Sequence, residues 1–235
     1  MVKNHIKKIN APKSWNILRK DTKFISRPNP GRRLALATSL NTCLKDMLGK
    51  TKTTKESKYL IRYNKVIVNG VQRFDEKFPV GFFDVLSLPE SNESFRMIVN
   101  AKGQLELVKI TEAESKVKIS KVANKVLQKG GKVQVVCTDG RSFLMTTSEA
   151  AKLSTNDTLV YSIPNQKLTD TIKLEKGSLV FLYKGKHTGL LVKVEGFKAG
   201  NILFHNGNEE METKKSYAFV VGKDKPAITI MAKKN

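Results

Sequence analysis

With 235 residues the chain has room for one large domain or several small ones, and a hydrophobic content of 40% is enough for real cores. Its 43 lysines and arginines against 21 aspartates and glutamates leave a formal net charge of +22, well beyond what solubility requires. Such a chain folds against its own repulsion unless a polyanion screens it. Nucleic acid is the first candidate, because each phosphate neutralised by a Lys or Arg releases condensed counterions, and an anionic membrane surface is the rival.

The opening "MVKNHIKKIN" has basic residues but no apolar run behind them, and the longest apolar runs, such as "LVFLY" over Leu179–Tyr183, are only strand length. A soluble, cytoplasmic protein is expected. Cys43 and Cys137 lie far apart, and neither has a second Cys or His at zinc-site spacing, so each reads as a buried thiol in a reducing compartment.

Up to Arg33 the chain carries ten lysines and arginines and one acid, Asp21. Prolines 12, 28 and 30 interrupt the segment, and Ile6, Ile9, Trp15, Ile17, Leu18, Phe24 and Ile25 are too few to close a core. This predicts an extension that orders only against a partner, although Trp15 is unusual for a floppy tail.

From Leu40 the pattern turns helical. Leu40, Cys43, Leu44, Met47 and Leu48 form one buried stripe at three and four spacing, and Gly49 stops it. A second helix starts near Thr54, with Thr53 or Thr54 able to cap it. At about 100° per residue, Ser57, Leu60, Ile61 and Asn64 share an inner face, whereas Lys55, Lys58, Arg62 and Lys65 share the opposite one. Acids able to pair at i,i+4 are almost absent, Glu56 alone intervening, which favours a binding face over a merely solvated one. Asn64 suits the left-handed residue that closes a helix. "KVIVNGV" then reads as a short strand closed by an Asn69-Gly70 turn, with Arg73 just beyond it.

Past Pro89 the character is strongly β. Thr111 is placed to cap a brief helix, with Glu114 completing a capping box. "KVQVVCTDGRSFLMTT" predicts a hairpin at Asp139-Gly140, and "DTLVYSIPNQKLTDTIKL" another with Pro164 and Asn165 in the turn. Gly177, Gly185 and Gly189 punctuate two short strands of a five-stranded SH3-like barrel. "YAFVVG" and "AITIM" are expected as late strands, and the chain closes on Lys233-Lys234-Asn235.

Catalytic patterns fail one by one. "GGKV" at Gly130–Val133 lacks the glycine spacing and hydroxyl of a phosphate loop. Ser115 and Lys118 fit S-x-x-K without its companion motifs. His5, His187 and His205 are scattered, and His205 is expected in a loop. No catalytic residue, metal site, cofactor or small-molecule substrate is expected.

Three stretches, "HIKKINAPKSW" (His5–Trp15), "VIVNGVQRFDEKFPVGFFDVLSL" (Val66–Leu88) and "GSLVFLYKGKHTG" (Gly177–Gly189), resemble, in this order, the S-four-e family of small-subunit ribosomal proteins of archaea and eukaryotes. The middle stretch is similar to the S-four-type RNA-binding domain (αL motif), and the last to a KOW motif. The resemblance implies an α+β, multidomain chain: a basic extension over residues 1–39, an S-four-type domain over 40–92, a β-rich central domain over 93–173, and a KOW SH3-like domain with a short tail over 174–235. It implies a structural, non-enzymatic constituent of the small subunit that binds ribosomal RNA beside neighbouring ribosomal proteins, with no membrane partner. Lys7, Lys8, Lys13, Arg19, Arg32 and Arg33 would contact phosphates, and Trp15 would stack on a base or wedge against a sugar. Lys55, Lys58, Arg62, Lys65 and Arg73 would dock on a folded junction, and Lys184 and Lys186 would bring the KOW turn to RNA. The alternatives are a KOW-containing transcription-elongation accessory protein, for which no polymerase-binding domain is legible, and an RNA-modification accessory factor.

Overall fold

In the computed structural model, residues 5–206 and 209–230 are described; Lys3, Met231 and the closing Lys233-Lys234-Asn235 lie outside them. The chain is a mixed, mostly β protein whose strands form several separate sheets. It divides into two compact units, one made of residues up to 100 with 104–118, the other of 101–103 with 119–230. No helix among the described residues is long and apolar enough to cross a membrane.

The first unit is built on a five-stranded antiparallel sheet in the order Val71–Gln72, Ile67–Val68, Val85–Leu88, Glu93–Val99, Leu105–Ile110. Its first two strands meet at the expected turn: Ile67 pairs with Gln72 and Val68 with Val71, and Asn69 and Gly70 both take positive φ, 51° and 76°. That pair of left-handed residues matches the twist of the flanking strands. Phe95 to Val99 are buried at every position, so this central strand is covered on both faces.

Two helical pieces pack nearby. The first runs over Leu40–Thr42, capped by the Ser39 hydroxyl accepting from the Thr42 amide at 3.2 Å, and widens into a π-helical turn over Cys43–Met47. Leu40, Cys43 and Leu44 of the expected stripe are buried, whereas Met47 and Leu48 are only half-buried. The second, Thr54–Tyr63, has a complete capping box between Thr53 and Glu56. Asn64 does not close it in the left-handed region: its φ is −99°, and the left-handed residue is Lys65, at 49°. Asn64 instead donates its side-chain amide to Glu90.

The extension departs most from expectation. Its Trp15 is 1% exposed, and the indole N–H donates to the carbonyls of Leu34 and Ala37 at 3.1 and 3.0 Å. Beside it, Leu105 donates its amide to the Ser14 carbonyl at 2.6 Å, so the segment lies along the last strand of the sheet. Ala11, Ile25 and Pro28 are buried too. The apolar residues are too few to make a core alone; they join one that the rest of this unit supplies.

The second unit contains a five-stranded sheet in the order Ser142–Thr146, Lys132–Cys137, Val117–Leu127, Thr158–Ser162, Leu168–Ile172. Val122, Val135, Cys137 and Leu159 pack with Ala150 from the helix Thr147–Ala151 and with Leu153 just after it. That helix went unread in the sequence, although Thr146 and Glu149 form a full capping box. Both expected hairpins are present, with Cys137 and Arg141 hydrogen-bonded across the Asp139-Gly140 turn and Tyr161 paired with Leu168 around Pro164. The brief helix Glu112–Ser115 in the first unit is capped by Thr111.

Two three-stranded sheets follow, ordered Leu191–Lys193, Leu179–Leu182, Ala218–Gly222 and Gly196–Lys198, Asn201–Asn206, Glu209–Lys214. His205 sits on a strand, its ring 2.8 Å from Glu195, and not in a loop. Ala227 to Ile230 form no strand; Ile228 and Ile230 are buried in irregular backbone that follows an isolated bridge between Gly222 and Pro226.

Lys121 is buried in this unit, its ammonium donating to the carbonyls of Lys215, Ser216 and Ala218 at 3.0, 3.2 and 2.7 Å. Burial first, and the neighbouring Lys184 second, pull its pKa from 10.5 to about 8. Between those values the unfolded chain binds a proton that the folded one has released, so stability rises with pH through that window. The difference corresponds to about 3 kcal/mol. Urea unfolding of the wild type and of Lys121→Met, compared from pH 7 to 10.5, is expected to show the wild type gaining this much relative to the variant, the other titrating groups being common to both; parallel curves would rule it out.

Candidate nucleic-acid interface

Helix Thr54–Tyr63 sorts its side chains by chemistry. Ser57 and Ile61 are buried, Ser57 bonding to Thr51 at 2.7 Å, while Lys55, Lys58, Arg62 and Lys65 are exposed on the other side. Glu56, the acid that could have neutralised this face, is turned to the helix start, where it accepts from the Lys52 amide at 2.8 Å. Those N-terminal hydrogen bonds hold its carboxyl below the usual range. Lys58 pairs with Glu76 at 3.3 Å; among the described residues no ion pair forms at Lys55, Arg62 or Lys65. Arg73 donates its amide to the Val66 carbonyl at 3.0 Å, placing it next to the Lys65 end of the ridge, with its guanidinium 4.3 Å from the Phe78 ring centre.

The hairpin beside the ridge is tied down by a buried charge cluster. Asp84 is fully buried and receives the Gly81 amide at 2.7 Å, the Asn69 side-chain amide at 2.9 Å, Arg32 at 2.8 Å and Lys118 at 2.6 Å. Asn69 completes the clasp by accepting from the Val85 amide at 3.0 Å. Burial alone would raise the Asp84 carboxyl; the adjacent Lys118 and Arg32 outweigh it and hold it below the usual carboxylate range. A Cβ on Gly81 would come within 3.0 Å of the Arg32 side chain, so that position leaves the guanidinium its space.

The structure therefore divides the sequence-predicted contacts. Lys7, Lys13 and Arg33 of the extension are exposed. Lys8 is not available to phosphate: it is 1% exposed and paired with Asp21 at 2.7 Å and Asp46 at 3.0 Å. Arg32 is held by Asp84, and Arg19 gives two of its N–H groups to the carbonyls of Ala11 and Pro12 at 2.7 and 2.8 Å. Trp15, with its ring enclosed, offers no face to a base. These four residues build the extension itself. Lys118, the lysine of the rejected S-x-x-K pattern, is likewise a buried partner of Asp84.

In the second unit, the turn between Leu179–Leu182 and Leu191–Lys193 carries Lys184, whose ammonium lies 5.5 Å from the Tyr183 ring centre, and exposed Lys186. The turn is closed by Gly189 donating to the Leu182 carbonyl at 2.7 Å. Gly185, at φ 90°, leaves room for Tyr217, whose ring a Cβ would approach to 3.1 Å. Tyr59 and Tyr63 are not among the expected contacts. Both are exposed beside the cationic face, and their i,i+4 spacing was the readable signal.

A folded scaffold that pairs or buries many of its acids and turns surplus cations outward on a rigid helix defines a polyanion-facing class of protein. The pattern of the ribosomal family S4e matches residues 91–168, and that of the RS4NT (NUC023) domain matches residues 2–31. The small ribosomal subunit protein eS4 of Methanococcus aeolicus is 34% identical over 97% of this chain and 98% of its own length. That of Methanocaldococcus jannaschii is 36% identical over the same shares. The crystal structure of the 30S ribosomal protein S4e from Thermoplasma acidophilum superposes with a TM-score of 0.70 at 26% identity, covering 80% of this chain and 96% of that one. The chain belongs to the ribosomal protein S4e family.

Proposed function

We propose that this protein is a structural constituent of the small ribosomal subunit, holding ribosomal RNA in the cytoplasm beside neighbouring ribosomal proteins. The observation that carries the reading is the near full-length likeness to relatives named small ribosomal subunit protein eS4. The unneutralised helix face supplies its physical basis.

Within the two compact units we read four functional segments: the extension to residue 39, an S-four-type (αL) module over 40–92, a β-rich middle over 93–173, and a KOW-type SH3-like module from 174. The helix pair leading into the Val66–Gly70 hairpin supports the second segment, and the glycine-closed turn carrying Lys184 and Lys186 supports the fourth. Lys55, Arg62 and Lys65, with Lys58 and Arg73 at the margins, grip phosphates of a folded junction; Lys7, Lys13 and Arg33 extend the contact along the ordered extension. Such contacts read backbone and shape, because the A-form major groove hides its base edges from side chains.

Sedimentation of cell extract through a gradient tests the reading. The protein should migrate with small ribosomal subunits and leave that position when the salt is raised. Migration with RNA polymerase would replace this function with an elongation role.

A further inference from the structure

Tyr59 and Tyr63 are 63% and 66% exposed, one helical turn apart on Thr54–Tyr63, with ring centres 4.6 Å apart and planes inclined by 34°. Two large aromatics left this open on a ten-residue helix lose the gain that burial would bring, and nothing in the first unit covers them among the described residues. Their setting is chemically one-sided. Lys55 lies one turn before Tyr59, Arg62 adjoins Tyr63, and Lys52 is exposed ahead of the cap. Glu56 faces the cap and not the rings.

We infer that the Tyr59–Tyr63 pair is a stacking platform for unpaired bases of a single-stranded RNA segment, whose phosphates Lys55 and Arg62 neutralise. This rests on the ribosomal RNA reading above and deepens it. Stacked tyrosines offer an outer ring face to a splayed base, and every base has a π-face to give. The surrounding cations suit the backbone of the same strand. A duplex offers no free base, and a protein partner complementary to this patch would have to be strongly acidic. The contact would also add what the phosphate ridge lacks, a preference for a loop or bulge over a continuous helix.

The test uses the full-length protein and anisotropy of two labelled probes at fixed low salt: an eight-nucleotide oligoadenylate and an abasic ribo-oligomer of equal length. The intact probe should bind roughly 5- to 150-fold tighter for each base stacked. Tyr59→Ala with Tyr63→Ala should abolish the difference without shifting the thermal midpoint, while Tyr59→Phe with Tyr63→Phe should keep it. Equal affinity for the two probes, no measurable binding of either, or a difference that survives the alanine pair would overturn the platform and leave the rings to a protein neighbour. A small-subunit rRNA transcript is titrated in parallel. Steeply salt-dependent binding there, with no base-dependent difference, sinks only the stacking; loss of transcript binding sinks the broader reading as well.

Discussion

Asp84→Asn should cost about 3–5 kcal/mol of folding stability, because it leaves Lys118 as a buried ammonium with no counter-charge. Four donors converge on that carboxylate, and one of them, the Asn69 amide, belongs to the hairpin turn beside the cationic ridge. An asparagine retains one carbonyl acceptor but presents its own N–H groups to two cations. Denaturant unfolding measures the loss, and a penalty under about 1 kcal/mol would show that the cluster contributes little. Adding Lys118→Met should recover much of the loss by removing the stranded charge; Arg32, at the edge, can turn to water. Acid should reproduce the mutation. Because the folded-state value is depressed, the contribution is complete above the ordinary carboxylate value of about 3.9 and is lost as pH falls from there through the lower folded value.

Reversing charge at the far end of the helix, with Arg62→Glu and Lys65→Glu together, should act on binding and leave the fold intact. Both side chains are exposed and form no ion pair among the described residues, so the cost is that of two acids at the negative end of the helix, about 1–2 kcal/mol at most, and the variant should remain folded. Each phosphate contact contributes roughly 0.7–0.9 to the slope of log affinity against log salt, and the double variant should flatten that slope by about 1.4–1.8. The wild type, with several contacts, should lose affinity steeply between low and physiological salt. A flat wild-type slope would remove the ridge from the interface, and unfolding of the variant would make the face structural.

What could be read beforehand was whatever short-range chemistry decides. The two-sided helix Thr54–Tyr63, its Thr53 cap and the Asn69-Gly70 turn all follow from residues within a few positions of each other. Cations were harder to place, since a lysine that binds phosphate and one that is buried look alike in sequence. Lys8 differs from Lys7 because Asp21 and Asp46, 13 and 38 positions away, reach it, and Arg32 meets Asp84 across 52 positions. Trp15 in a proline-rich basic segment was the visible hint that the extension is packed. At the helix end the left-handed residue is displaced by one: Lys65 takes it while staying on the cationic face, and Asn64 bonds to Glu90, a partner 26 positions away that local sequence does not disclose. "AITIM" has strand composition and buried isoleucines, yet local preference cannot supply a neighbouring strand to pair with.

The packing of the extension also sets how recognition proceeds. A segment already docked through Trp15 and Arg32 has less backbone entropy to lose at the moment of capture than a free tail, and only its exposed lysine side chains remain to be ordered. In the proposed contact with ribosomal RNA, such an arm would act as a gauge and not as a glove: a surface of the wrong curvature would meet fewer of its lysines, and the better fit would fall to RNA already in its mature form.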